Sequence, residues 1–181
     1  MDNSLKKELD KFKMGLFSLN TRRFGTVAEY MIQLLYNFDE SKSLAFDKKD
    51  NKGNRIEVKF SRVLKENENS IKKENIISEA KAANVSLRMI KSNEESAFDC
   101  NIQQVKTKEF DILYYGLFFD DVIYIYKIKS DMVKNIPGYS DKQHRGNVGE
   151  GQFHINNKNI LEHEKYLDKK VSYEELYELF S

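Results

Sequence analysis

Residues 43–62 read SLAFDKKDNKGNRIEVKFSR, and the second half, RIEVKFSR over 55–62, decides the fold. Ile56, Val58 and Phe60 alternate with Arg55, Glu57, Lys59 and Ser61, the period of a strand with one buried face. Glu57 and Lys59 share the other face. Upstream, Leu44 and Phe46 point one way and Asp47 the other, and KDNKG between the two segments is rich in turn formers. The stretch predicts a β-hairpin. With a turn over about 48–54, Asp47 stands near Glu57 on the polar face, while Asp50 serves the turn itself.

On the N-terminal side, residues 4–14 (SLKKELDKFKM) predict a short amphipathic helix opening on a serine cap. Residues 26–37 (TVAEYMIQLLYN) predict a second, with Thr26 as N-cap, Glu29 at capping-box spacing, and Val27, Tyr30, Met31, Leu34 and Leu35 as core stripe. Beyond the hairpin, residues 72–91 show helical spacing and 98–106 form a strand. Residues 109–119 and 122–129 are apolar enough on both faces to be central strands, joined at Asp120-Asp121. Residues 136–158 (IPGYSDKQHRGNVGEGQFHINNK) predict a long polar, Gly-rich loop with a short strand at 151–155, and 159–168 and 172–180 close the chain as helical or irregular segments. The fold class is α/β: a mixed central β-sheet flanked by helices, in one domain over 1–181.

The composition excludes several classes. Charged residues make up 33% and mean hydropathy is −0.67, and no apolar run nears the ~20 residues that a membrane span requires. The start, MDNSLKKELDKFK, has no apolar signal core, and Cys100 stands alone, so the expected compartment is a reducing cytoplasm without disulfides. One cysteine and three histidines argue against a structural zinc site. The net charge of +1 conceals segregation: residues 48–91 are basic, 92–121 acidic and 122–158 basic again. Two basic blocks around an acidic one suit a cleft for a polyanion, although charge runs are also simply solvated faces.

Glu/Asp-x-Lys is a weak pattern alone, for it also begins at residues 40, 47, 50, 79 and 168. The match at Glu57 differs in having strand alternation on both sides and Asp47 at its shoulder. Two carboxylates beside a lysine repel one another without a counter-ion, and a hard divalent cation with oxygen ligands, Mg²⁺ above all, resolves that repulsion.

Asp47 followed by Glu57-Val58-Lys59 on the adjacent hairpin strand resembles the PD-(D/E)XK nuclease superfamily. GNRIEVKFSR at 53–62 and EFDILYYGLFFDD further on are similar to small type II restriction endonucleases of that superfamily. The resemblance covers roughly residues 24–130, with Phe46 where the motif name has proline. It implies a restriction-endonuclease-like core and Mg²⁺-assisted hydrolysis of double-stranded DNA. In that reading Asp47, Glu57 and the Val58 carbonyl hold the metal, and Lys59 orients and helps to deprotonate the attacking water. Glu29 is the added helical carboxylate, or else merely the cap partner of Thr26. Gln103 or Gln104 takes the place of a recurrent glutamine, or else sits on a solvated strand face.

A nuclease must also hold its substrate. Lys48, Lys49, Lys52, Arg55 and Arg62 surround the hairpin and are candidate phosphate contacts. The polar segment 131–181 is assigned to DNA recognition, with Gln143, His144, Arg145, Asn147, Gln152, His154, Asn156 and Asn157 as candidate readers of base edges. A small chain with one catalytic centre implies a homodimer on a palindromic site, with a functionally paired DNA methyltransferase if it belongs to a restriction system. A structure-selective repair or junction-resolving nuclease of the same fold is the first alternative. A non-catalytic DNA-binding module is the second.

Overall fold

The computed structural model describes residues 3–65, 69–143 and 148–181. In chain order its elements are α1 (Asn3–Ser18), α2 (Thr21–Tyr36), β1 (Asp39–Glu40), β2 (Lys48–Lys49), β3 (Arg55–Arg62), α3 (Ile76–Ala82), β4 (Asp99–Val105), β5 (Ile112–Phe118), β6 (Ile123–Lys129), β7 (Ser140–Lys142), β8 (Val148–Asn156), β9 (Leu167–Val171) and α4 (Tyr173–Phe180). Short 3₁₀ turns lie at Val85–Leu87, Ser130–Asn135 and Ile160–Tyr166.

The strands form a six-stranded sheet ordered β1-β2-β3-β5-β6-β9 and a three-stranded sheet ordered β4-β8-β7. β3 and β5 run parallel from Ile56↔Ile112 to Arg62↔Phe118, whereas the other neighbours are antiparallel, so the central sheet is mixed. On one face of it, Phe24, Ala28, Met31 and Ile32 of α2, with residues of α1 and α4, bury Ile56, Val58, Tyr114 and Phe118. Against the other face, Cys100, Ile102, Phe153 and Ile155 of the smaller sheet meet Leu113, Tyr115 and Leu117. The molecule is therefore mixed α/β, with a mixed central sheet between a helical layer and a second sheet.

Several expectations are corrected. α2 begins at Thr21, not Thr26, because the Asn20 side chain caps it by accepting from the Arg23 amide at 3.0 Å. Thr26 lies inside the helix, its hydroxyl donating to the Arg22 carbonyl, and Glu29 is not its capping partner. The buried stripe shifts accordingly, and Tyr30 and Leu34 remain about half exposed. Residues 72–91 are not one helix. α3 and the following 3₁₀ turn bury no residue, and Met89 and Ile90 enter the core beyond them.

The short strand expected at 151–155 is present as part of the longer β8, while the loop expected around it is largely sheet among the described residues. β7 and β8 pair with each other and with β4, and buried Gly151, Phe153 and Ile155 alternate with half-buried Gln152, His154 and Asn156. β9 is an edge strand absent from the sequence reading, and with α4 it completes the central sheet and the helical layer. Leu44 is fully exposed, so Phe46 alone of that pair packs on the core. Among the described residues no helix is long and apolar enough to cross a membrane.

Between the sheets lies one buried histidine. His163 is fully enclosed, its Nδ1 3.0 Å from the Tyr115 hydroxyl and its ring stacked on Phe153. Burial, with a smaller contribution from Lys165, depresses its pKa to about 4. The unfolded chain takes up that proton first, so stability is full above about 6.5 and falls as the pH drops toward 4. Denaturant titration of the parent is expected to show a loss from this residue of roughly 2 kcal/mol between pH 7 and pH 5. His163→Phe is expected to remove that increment of the pH dependence.

Candidate active site

The hairpin forms as its turn chemistry dictates. Asp50 accepts from the amides of Lys52 and Asn54 at 2.9 and 2.8 Å, and Gly53 takes the positive φ of +84° that the turn requires. The pairs Lys48↔Ile56 and Lys49↔Arg55 then set the register, and the Asp47 amide donates to the Ile56 carbonyl at 2.9 Å. Continued by one residue, that register stands Asp47 opposite Glu57. The Asp47 carboxylate turns to the strand edge, where its Oδ2 accepts from the Val58 amide at 2.8 Å. The amide and carbonyl of one residue point to the same side of an extended strand, so the Val58 carbonyl faces this edge too. β2 begins only at Lys48, opposite Ile56, so the edge of β3 beside Val58 and Phe60 carries no paired strand and opens into a cleft.

Glu57 is 9% exposed, far from the solvated position that alternation predicts, because β4 and the smaller sheet cover its face. Lys59 Nζ donates to Glu57 Oε1 in a close ion pair. Burial pushes the Glu57 carboxyl up to about 7; Lys59 opposes the rise, and Asp47 and Glu109 add to it. Burial pulls Lys59 down, but the carboxylates of Glu57, Asp47 and Glu29 outweigh it, and the ammonium is held more firmly than usual. Glu29 reaches the same field from α2. Burial raises its pKa first and Asp47 second, against Lys48 and Lys59. Three carboxylates and two ammonium groups thus interact across the open edge of β3.

A cavity of about 400 Å³ lies over this edge. Glu29, Val58 and Lys59 line it on one side and Asn101, Gln103 and Gln104 of β4 on the other. Thr21 and Arg22, from the first turn of α2, also line it and were not among the sequence candidates. The signal was available: Arg22 and Glu29 are seven residues apart, two turns on one helix face.

The remaining candidates divide sharply. Lys48 is buried with its ammonium 5.0 Å from the centre of the Tyr30 ring, whereas Lys49 and Lys52 are exposed. Arg55 makes a two-pronged pair with Asp111, at 3.1 and 2.8 Å, and donates to the Lys108 carbonyl. Arg62 donates to the carbonyls of Phe17 and Leu19 at 2.6 and 2.5 Å and stacks on Phe24, so it holds the C-terminal end of α1 rather than facing the cleft. Gln152 accepts from Asn101, His154 pairs with Asp99 at 2.7 Å, and Asn156 accepts from the amides of Lys158 and Asn159 within a turn. Asn157 is exposed beside them. The Gln143 side-chain Nε2 is buried without a partner among the described residues, and His144, Arg145 and Asn147 lie outside those residues.

The donor set suits a hard cation, since Asp47, Glu57, Glu29 and the Val58 carbonyl offer oxygen alone. Among the described residues no three acidic, histidine or cysteine side chains already converge as a ligand group. The reason is visible here: Glu57 is turned to Lys59 and Asp47 to the Val58 amide. No family model and no curated protein matches the chain.

Proposed function

We propose that the protein is a Mg²⁺-dependent endonuclease of double-stranded DNA with a restriction-endonuclease-like core, acting at the open edge of β3. The observation that carries this reading is the register that stands Asp47 opposite Glu57, with Lys59 on the Glu57 face and Glu29 arriving from α2. Asp47, Glu57 and the Val58 carbonyl would hold the cation, with Glu29 as an added carboxylate. When bound, Mg²⁺ polarises a phosphoryl group and acidifies a bound water. Lys59 Nζ, released from Glu57, orients the attacking water and offsets charge on the phosphorane-like transition state. Exposed Lys49 and Lys52 supply sequence-independent attraction for phosphates. A homodimer places two such centres on the two strands, and a paired methyltransferase would protect host sites in a restriction system.

Digestion of plasmid DNA with Mg²⁺, followed by sequencing of the ends, tests the reading. Discrete ends at one sequence support a site-specific enzyme. Cutting confined to branched substrates supports a junction-resolving nuclease instead, and binding without any cleavage supports a non-catalytic module.

A further inference from the structure

The smaller sheet presents an outer face that the catalytic chemistry leaves unused. On β4 the buried Cys100 and Ile102 alternate with Asp99, Asn101 and Gln103, and on β8 the buried Phe153 and Ile155 alternate with Gln152, His154 and Asn156. Apart from Asp99, that outward row is made of carboxamides and one imidazole, with no lysine or arginine among them. Asp99 and His154 satisfy each other, and the Asn156 carbonyl oxygen is held in a turn. Gln103 and Gln152 are left with free donors among the described residues.

Their placement is specific. The register shifts between Ile102 and Val105, where Gln104 adopts a positive φ of +58°, and this bulge leaves Gln103 on the wall of the cleft that contains Lys59 and Glu29. Asn101 Nδ2 donates to Gln152 Oε1 at 3.4 Å, which leaves the glutamine's Nε2 as a donor without a partner among the described residues. Asn101 also lines the cleft. β4 is an edge strand of this three-stranded sheet, and at about 4.8 Å from β8 the two together have the width that the ~12 Å major groove of B-DNA admits.

We infer that the outer face of β4 and β8 is a base-reading surface, on which Gln103 and Gln152 select adenine at neighbouring positions beside the scissile phosphate, with Asn101 as a positioning residue. A carboxamide matches the N6 donor and N7 acceptor of adenine, whereas the outward row of β4 and β8 carries no guanidinium, the charged fork that favours guanine, among the described residues. The inference rests on the proposed action on duplex DNA, but not on cleavage.

The test is selection from a duplex library with a randomised core, bound by the full chain in EDTA so that no cutting occurs. The parent is expected to enrich sequences with A·T pairs at two neighbouring positions. Gln103→Ala and Gln152→Ala are each expected to lower preference at one position by roughly 5- to 150-fold, with the salt dependence of binding unchanged. Asn101→Leu is expected to weaken the Gln152 position alone, and Asn101→Gln to restore part of it. Gln103 is exposed, so its variant remains informative if a change at Asn101 disturbs folding. A parent without sequence preference, or glutamine variants that retain it, overturns the inference. Selective binding by a parent that never cuts with Mg²⁺ upholds it and overturns the nuclease reading instead.

Discussion

Lys59→Ala is expected to lower Mg²⁺-dependent DNA cleavage by about 10²–10⁴-fold, and to cost roughly 2–4 kcal/mol of stability in metal-free buffer. The first effect follows from the proposed role of Lys59, which orients the water and offsets transition-state charge in the nuclease reading. The second follows from the ion pair with Glu57, a side chain 11% exposed, which would be left buried in the field of Asp47 and Glu109 without its cation. Glu57→Gln separates the two effects. It should lose a comparable share of the cleavage while unfolding at or above the parent's temperature, because a buried carboxylate that Asp47 and Glu109 repel is neutralised. Mg²⁺ should then raise the melting temperature of Lys59→Ala more than that of the parent, since the ion replaces the missing ammonium. Thermal melts with and without Mg²⁺, beside cleavage rates, check all of these outcomes. Equal metal stabilisation of parent and variant would mean that Lys59 does not share a site with the cation.

Gly116→Ala is expected to be the most damaging single-methyl change in the central sheet. Gly116 lies between Phe60 of β3 and Ile125 of β6 in the register, and an added Cβ would collide with the Tyr124 carbonyl oxygen and the Phe60 ring. The ring could move only by disturbing its edge-to-face contact with Phe118, and the carbonyl is part of the sheet backbone. A cost of at least about 3 kcal/mol is expected, or roughly 6–12 °C in melting temperature for a chain of this size. Gly15→Ala is the control. It lies within α1 with nothing near the added methyl, so helix propensity should stabilise it by about 0.5–1 kcal/mol. Differential scanning calorimetry of the two variants gives the comparison. A Gly116→Ala melt close to the parent's would contradict the packing described for β3, β5 and β6.

What was legible in the sequence was local. The hairpin could be read because Asp50 and Gly53 declare the turn and because Ile56 and Val58 alternate with Glu57 and Lys59. β5 could be read because a strand buried on both faces is apolar throughout, and β6 because residues 123–126 repeat that pattern before Lys127 and Lys129 reach solvent. Failures occurred where a partner lies far along the chain. Only the 151–155 part of β8 could be read, because Gly149, Gly151 and its polar outer row dilute the pattern, and its pairing with β4 joins residues some fifty positions apart. The same distance hid the burial of Glu57, since nothing near it in sequence announces the sheet that covers it. Arg62 reads as a phosphate contact beside the hairpin, yet the carbonyls of Phe17 and Leu19 claim it. The start of α2 was misplaced because Thr26 and Glu29 imitate a capping box inside a helix that Asn20 had already opened. The reading of the site rested on Asp47, Glu57 and Lys59, whose relation needs only strand register. Arg22 could be reached from Glu29 by helix spacing, whereas Asn101 needed the tertiary cleft.

The central claim is tested most directly by a paired digest of supercoiled plasmid by the parent and Lys59→Ala, purified alongside one another, each with Mg²⁺ and with EDTA. The account predicts that the parent with Mg²⁺ converts the plasmid to cut products while the variant and both EDTA reactions leave it supercoiled. A parent that leaves the plasmid intact in Mg²⁺, or a folded Lys59→Ala that cuts as fast as the parent, would contradict it.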